Sequence, residues 1–151
     1  MFDDCEDVLV EGISMRSFDT WWQSLFLNTI NAEVAHVNFF GVGMNTDGVD
    51  IDAVKNFLVR DSFLRVEDDG LGWHALDAEA NGEMITENAV ADNLVIWNTK
   101  WGNGIRVGSS MEAQLWRDIT IRNVDILKRA GCGIISDFSD WAWLDNPKKM
   151  G

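Results

Sequence analysis

The sequence predicts an all-β fold, a right-handed parallel β-helix, and a partial one of about five to six coils. Three observations lead there. Five segments share the same short β-branched alternation followed by a polar or glycine step. Taking Val10, Val34, Val59, Val90 and Ile121 as register marks, the steps between them are 24, 25, 31 and 31 residues. The long intervals between segments lack the regular hairpin turns of an antiparallel sandwich, the competing all-β arrangement.

The first segment is Val8-Leu9-Val10-Glu11-Gly12-Ile13, where alternation calls a strand. Phe18 to Ile30 is the only stretch that reads as a helix, and it reads equally as a strand and corner within a coil. Glu33–Val37 and Phe57–Asp61 repeat the first pattern, and Ala89–Leu94 and Ile119–Val124 repeat it again. Each coil would stack on the next at about 4.8 Å, the spacing of strands in a sheet. Asn81-Gly82 and Asn103-Gly104 each read as an ordinary turn. Open ends of such a stack expose strand edges, and the pattern starts almost at once with no amphipathic cap. A single domain over residues 1–151, as a piece of a longer chain whose missing coils cover the ends, is the expectation.

Composition narrows the partners. Twelve Lys+Arg against 25 Asp+Glu give a formal charge of −13. That field repels nucleic acid and anionic lipid, so neither is an expected partner. No apolar run of about 18 residues exists to cross a membrane as a helix. The acidic opening, Phe2-Asp3-Asp4-Cys5-Glu6-Asp7, lacks the basic start and apolar stretch of a signal peptide. Cys5 and Cys132 lie far apart and read as separate thiols.

The chemistry concentrates in Asn45-Thr46-Asp47-Gly48-Val49-Asp50-Ile51 and Val66-Glu67-Asp68-Asp69-Gly70. Asp47 and Asp68 are 21 residues apart, roughly one coil, so one turn of the chain brings Asp47 alongside the Asp68-Asp69 pair. Carboxyl groups that close cannot all ionise freely and titrate as a unit. One protonated acid beside one ionised base is what glycosidic hydrolysis needs. Adjacent strand residues point to opposite faces, so both aspartates reach one cleft only where the strand ends, and Gly70 suits such an ending. Paired aspartates in turns also bond their own backbone, and clustered carboxylates also suit calcium.

These residues resemble the polygalacturonase family of glycoside hydrolases, inverting enzymes on a right-handed parallel β-helix. They also resemble the dextranases and isopullulanases, which carry the same Asp plus Asp-Asp arrangement. Asn93–Asn98, Gly104–Gly108 and Asp118–Ile126 look closer to the second group. The resemblance spans roughly residues 7–136. It implies Asp68 as general acid and Asp47 and Asp69 as the groups that hold and activate water. It also implies an extracellular or periplasmic setting, a polysaccharide partner, and no metal or cofactor. The sequence departs from the polygalacturonases at Gly102-Asn103-Gly104, where their central residue is histidine, and at Gly133–Asp137, where a substrate-binding base is missing. Gly72 stands about where the dextranases carry lysine. With the charge of −13, these departures favour a neutral glucan over pectin.

Asn45, Trp73, His74, Trp101, Asn103 and Arg106 complete the expected substrate-binding set. Trp73 suits stacking on a sugar or packing inside, and His74 suits tuning the acid or bonding a hydroxyl. Arg106 suits the groove or an ion pair with a neighbouring acid. His36 reads as a structural histidine within a strand, and Trp21-Trp22 and Trp141-Ala142-Trp143 as packing or edge cover. Gly41-Val42-Gly43 is too short for a phosphate loop, and two histidines with two distant cysteines make no zinc cluster. The expectation is therefore a glycoside hydrolase. The alternative is a non-catalytic carbohydrate-binding or structural β-helix segment, from an adhesin, a phage tail or an inactive fragment.

Overall fold

A computed structural model describes residues 1–19, 21–75, 85–111 and 115–137. The Asn81-Gly82 turn, Trp141 and Trp143 lie outside these residues. In chain order the strands are β1 (Phe2–Asp3), β2 (Glu6–Glu11), β3 (Ser14–Phe18), β4 (Ser24–Leu27), β5 (Ile30–Ala35), β6 (Asn38–Val42) and β7 (Val49–Asp52). They continue with β8 (Lys55–Val66), β9 (Leu71–Ala75), β10 (Ile85–Asn98), β11 (Ile105–Met111), β12 (Leu115–Lys128) and β13 (Ile134–Asp137). The described residues contain no helix, and the Phe18–Ile30 stretch contains the end of β3 and all of β4.

Every pairing among these strands is parallel, which excludes the antiparallel sandwich. One sheet runs β1-β4-β7-β9-β11-β13, and the other β2-β5-β8-β10-β12, with β3 and β6 extending it beside the second half of β8. The chain passes from one sheet to the other and back; each return adds one strand to the first sheet, and to the second it adds β2 and β3, then β5 and β6, then the single long strands β8, β10 and β12. Both sheets send alternate side chains into one core. Phe26, Ile51, Trp73 and Ile105 come from the first, and Val34, Phe57, Val59 and Ala91 from the second. Phe26 stacks on Phe2 at 4.9 Å and meets Phe57 edge-on at 5.1 Å, which ties the sheets together.

All five segments expected as strands lie in the second sheet, and one register mark is off by a residue. Val10 pairs Val34, and Val34 pairs Val59. Val59 pairs Ala91 rather than Val90, and Ala91 pairs Ile121. The steps are thus 24, 25, 32 and 30. A one-residue slip reverses every side chain on a strand. Here the inward positions are Ala89 and Ala91, small residues set against Phe57, Ile119 and Ile121, so a search for β-branched residues lands on the outward Val90.

Two columns of left-handed residues interrupt the ladder of the second sheet. Asp7, Asn31, Asn56, Asn88 and Asp118 have φ of 56, 56, 56, 56 and 57°. Five residues on, Gly12, His36, Asp61, Asn93 and Asn123 have φ of 68, 53, 49, 51 and 52°. Asn, Asp and Gly tolerate this region best. The first column is also a chain of amides: Asn31 donates to Asp7 at 3.0 Å, Asn56 to Asn31 at 2.9 Å and Asn88 to Asn56 at 2.9 Å. His36 therefore sits exposed at a bend rather than inside a strand, beside Arg60 and Asp61. Cys5 and Cys132 are both free.

Candidate active site

The site is built on one turn that repeats. Val49 pairs Leu71 where β7 meets β9, and the register continues back through the turn: the Gly48 N–H donates to the Asp69 carbonyl at 2.9 Å. On the next passage the Gly70 N–H donates to the Asn103 carbonyl at 3.1 Å, and on the previous one the Gln23 N–H donates to the Asp47 carbonyl at 3.2 Å. Trp22, Asp47, Asp69 and Asn103 thus hold equivalent places on four successive passages. The glycines that follow the last three are forced by close approach. A Cβ on Gly48 would stand 2.4 Å from the Gly70 carbonyl oxygen, and one on Gly70 2.5 Å from that of Gly104.

Asp68 and Asp69 lie after the end of β8 and before β9, so strand alternation does not separate them. Asp68 accepts the Asn45 N–H at 3.0 Å. Asp69 accepts two bonds from Asn103, from the main chain at 2.5 Å and the side-chain amide at 2.9 Å, and Arg106 stands 3.9 Å from its other oxygen. Asn103 is held in turn by the Cys132 N–H at 2.9 Å. Asn98 clamps the turn from beneath, donating to the carbonyls of Asp68 and Trp101 and accepting the Ala130 N–H at 2.7 Å.

Asp47, Asp68 and Asp69 offer carboxylate oxygens that all lie within 4.8 Å of one another. A second trio shares Asp47: its carboxylate, that of Asp50 and a His74 ring nitrogen also fall within 4.8 Å. Oxygen and imidazole donors at this spacing suit shared protons, and they would equally accept a divalent cation. Burial, then the charges of Asp50, Asp68 and Asp69, push the Asp47 carboxyl up to about 10. Burial pushes Asp50 upward as well. Burial also raises Asp69, against the opposing pull of its Asn103 bonds. Burial lowers His74, keeping the ring neutral. Asp47 therefore holds its proton at neutral pH.

The structure brings Asp47, Asp68, Asp69, Asn103 and Arg106 together as expected and corrects the rest of the binding set. Trp73 is fully buried in the core, because Leu71, Trp73 and Ala75 share the inward face of β9, so it stacks on no sugar. His74 is buried on the outward face, its Nδ1 2.8 Å from the Gly108 carbonyl, and offers no hydroxyl contact at the surface. Asn103 is buried against Asp69 and acts by holding it. Asn45 enters through its main chain, and Trp101 lies half-buried under Lys100, whose ammonium is 3.9 Å from the ring. Sequence reasoning missed Asp50, fully buried, and Trp22, whose ring stacks on His74 at 5.3 Å and 9°. The signal for Asp50 was its parity: it lies three residues after Asp47 and flanks the inward Ile51. Trp21 beside it is exposed rather than edge cover. A separate groove of about 540 Å³, lined by Ser14, Met15, Arg16, Phe40, Val42 and Arg65, contains no carboxyl group.

No protein-family model, curated protein or solved structure matches this chain.

Proposed function

We propose that the chain is a glycoside hydrolase on a right-handed parallel β-helix, cleaving a neutral polysaccharide of the glucan type by inversion. The observation that carries this reading is the trio Asp47, Asp68 and Asp69, three carboxyl groups from two passages with oxygens within 4.8 Å. The helix reading is supported by two parallel sheets between which the chain alternates from β1 to β13.

The roles follow from the surroundings. Asp68 is the least buried of the three, so it is the one open to the leaving oxygen, and the resemblance gives it the role of general acid. Asp69 carries the partners that favour an ionised carboxylate, two Asn103 donors and Arg106, so it activates the water together with Asp47. A uronate chain would meet these acids with Arg106 as the cation beside Asp69, which favours an uncharged sugar.

The test is reducing-end release from dextran, pullulan and polygalacturonate, run with Asp68→Asn. Release from a neutral glucan, reduced on the order of 10³-fold in the variant, is the expected result. Release from polygalacturonate would overturn the neutral assignment. Silence from a folded protein on every glycan would overturn the hydrolase reading in favour of carbohydrate binding. The anomer released first tests the stereochemistry: oxygens within 4.8 Å lie closer than the roughly 6.5–9.5 Å usual for inverting pairs, so inversion rests on the resemblance rather than on this spacing, and a retained anomer would overturn it.

A further inference from the structure

We propose that Asp50 and His74 form a buried positioning pair that controls the proton on Asp47, the carboxyl that faces the attacking water. The proposal rests on the hydrolase reading for its catalytic consequence, but the pair itself is a matter of geometry.

Gly72 creates the pair. It lies between Asp50 on β7 and Arg106 on β11 in register. A Cβ there would stand 2.1 Å from Asp50 Oδ1 and 2.6 Å from His74 Nε2. Glycine leaves the gap across which the two side chains meet. Asp52 is directly opposite His74, yet the imidazole turns diagonally to Asp50, with Nε2 3.4 Å from Oδ1.

The proton count follows from the ring's other side. Nδ1 is 2.8 Å from the Gly108 carbonyl, which only accepts, so Nδ1 carries a hydrogen. A neutral ring then presents a bare lone pair at Nε2. With both carboxyls ionised, that atom, both Asp50 oxygens and Asp47 Oδ1 are buried without a donor, and a proton held by Asp47 is hydrogen-bonded to Asp50. Leaving such atoms unsatisfied is costly: at rest the Asp47 proton bonded to Asp50 joins the two acids, and Nε2 stands ready to share a proton that Asp50 receives. Trp22 stacks on the imidazole at 5.3 Å. The charged groups around the ring are Asp47, Asp50, Asp52, Asp69 and Arg106.

The step balances. Water's oxygen bonds to the anomeric carbon as the bond to the leaving oxygen breaks. Asp68 delivers its proton to that oxygen. Asp47 takes the water's proton, having passed its own to the Asp50–His74 pair. The proton on Asp47 then moves to Asp68, and the pair's proton returns to Asp47, which restores the starting state.

The experiment uses the full chain with His74→Ala, His74→Gln, Asp50→Asn and Asp47→Asn. Nitrogen NMR of the His74 ring needs no substrate. The expected result is a hydrogen on Nδ1 and a Nε2 resonance that moves by several ppm in both Asp50→Asn and Asp47→Asn. In hydrolysis, His74→Ala should lower kcat on the order of 10²-fold with KM within about twofold, shift the pH profile of kcat, and be partly rescued by His74→Gln. A hydrogen on Nε2 instead, a resonance indifferent to Asp47→Asn, or stoichiometric metal in the purified protein would each overturn the pair. So would a His74→Ala that lowers thermal stability and leaves the pH profile in place. If no glycan is cleaved, the hydrolase reading fails and the ring spectra still decide the pair.

Discussion

The same residue type behaves oppositely on two sides of this molecule. Along the second sheet, aspartates sit in water beside a cation or an amide from a neighbouring passage. Arg122 stands 2.8 Å from Asp92, and Arg60 stands 2.6 Å from both Asp61 and Glu33. Hydrogen bonds from Arg122 and Asn123 pull Asp92 below the usual carboxylate range, and those from Asn93 and Arg60 do the same for Asp61. At the turns before β7 and β9, Asp47 and Asp69 are buried and pushed upward, and Asp50 on β7 is buried completely. Stacking places like residues in columns on both sides. A column in water recruits partners of opposite charge, and a column out of water concentrates protons. The first arrangement supports the fold, and the second is the one that the proposed hydrolysis would draw on.

The largest effect expected from breaking this contrast is at Asp47. Its carboxyl is at about 10 in the folded chain against an ordinary 3.8. Below pH 4 both folded and unfolded chains hold that proton. Between pH 4 and about 10 the folded chain keeps it and the unfolded chain has released it, so stability falls as pH rises through that window. Asp47→Asn, which does not titrate, should therefore be more stable than the wild type by about 2–3 kcal/mol at pH 8, with the gain shrinking toward zero near pH 4. Urea unfolding at the two pH values measures this. A variant equally destabilised at both would show that Asp47 is an ordinary structural acid.

A second break is mechanical. Gly72→Ala drives a methyl group into Asp50 and His74, both fixed by neighbouring strands. Overpacking of a close site should cost about 1–3 kcal/mol, read as a lower urea midpoint with unchanged slope. A neutral outcome would mean the acid side has slack, and the contrast between a relaxed sheet and a tight site would lose its basis.

These contrasts explain what the sequence made legible. The parallel all-β class and the Asp47/Asp68-Asp69 meeting were readable, because period-two alternation and a step near one passage are local signals. The orientation of Trp73 was readable in principle: Leu71, Trp73 and Ala75 alternate, and an inward Leu71 puts the indole inside. The Asp50–His74 meeting was not, since it depends on a diagonal between strands and on the side chain that Gly72 lacks. The bend columns escaped for another reason. Their steps vary from 24 to 32 residues, and single asparagines at such intervals look like ordinary surface residues.

Asn56 offers the smallest and cleanest test of the supporting side. It donates to Asn31 and accepts from Asn88, both at 2.9 Å, and its φ is 56°. Two properties are therefore combined in one residue, and two substitutions separate them. Asn56→Gly removes the amide and keeps the left-handed bend, which isolates the hydrogen bonds of an exposed ladder at about 0.5–1 kcal/mol. Asn56→Ala removes the amide and keeps a β-carbon in a bend that alanine tolerates less well than asparagine or glycine, so it loses about 1 kcal/mol more than the glycine variant. Thermal unfolding should rank wild type above Gly above Ala, with any hydrolysis unchanged within about twofold in both variants. Equal losses for Gly and Ala would place the column's whole contribution in its amides. A Gly variant as stable as the wild type would place it in the backbone, and the ladder would then be a consequence of the stacked bends rather than a cause.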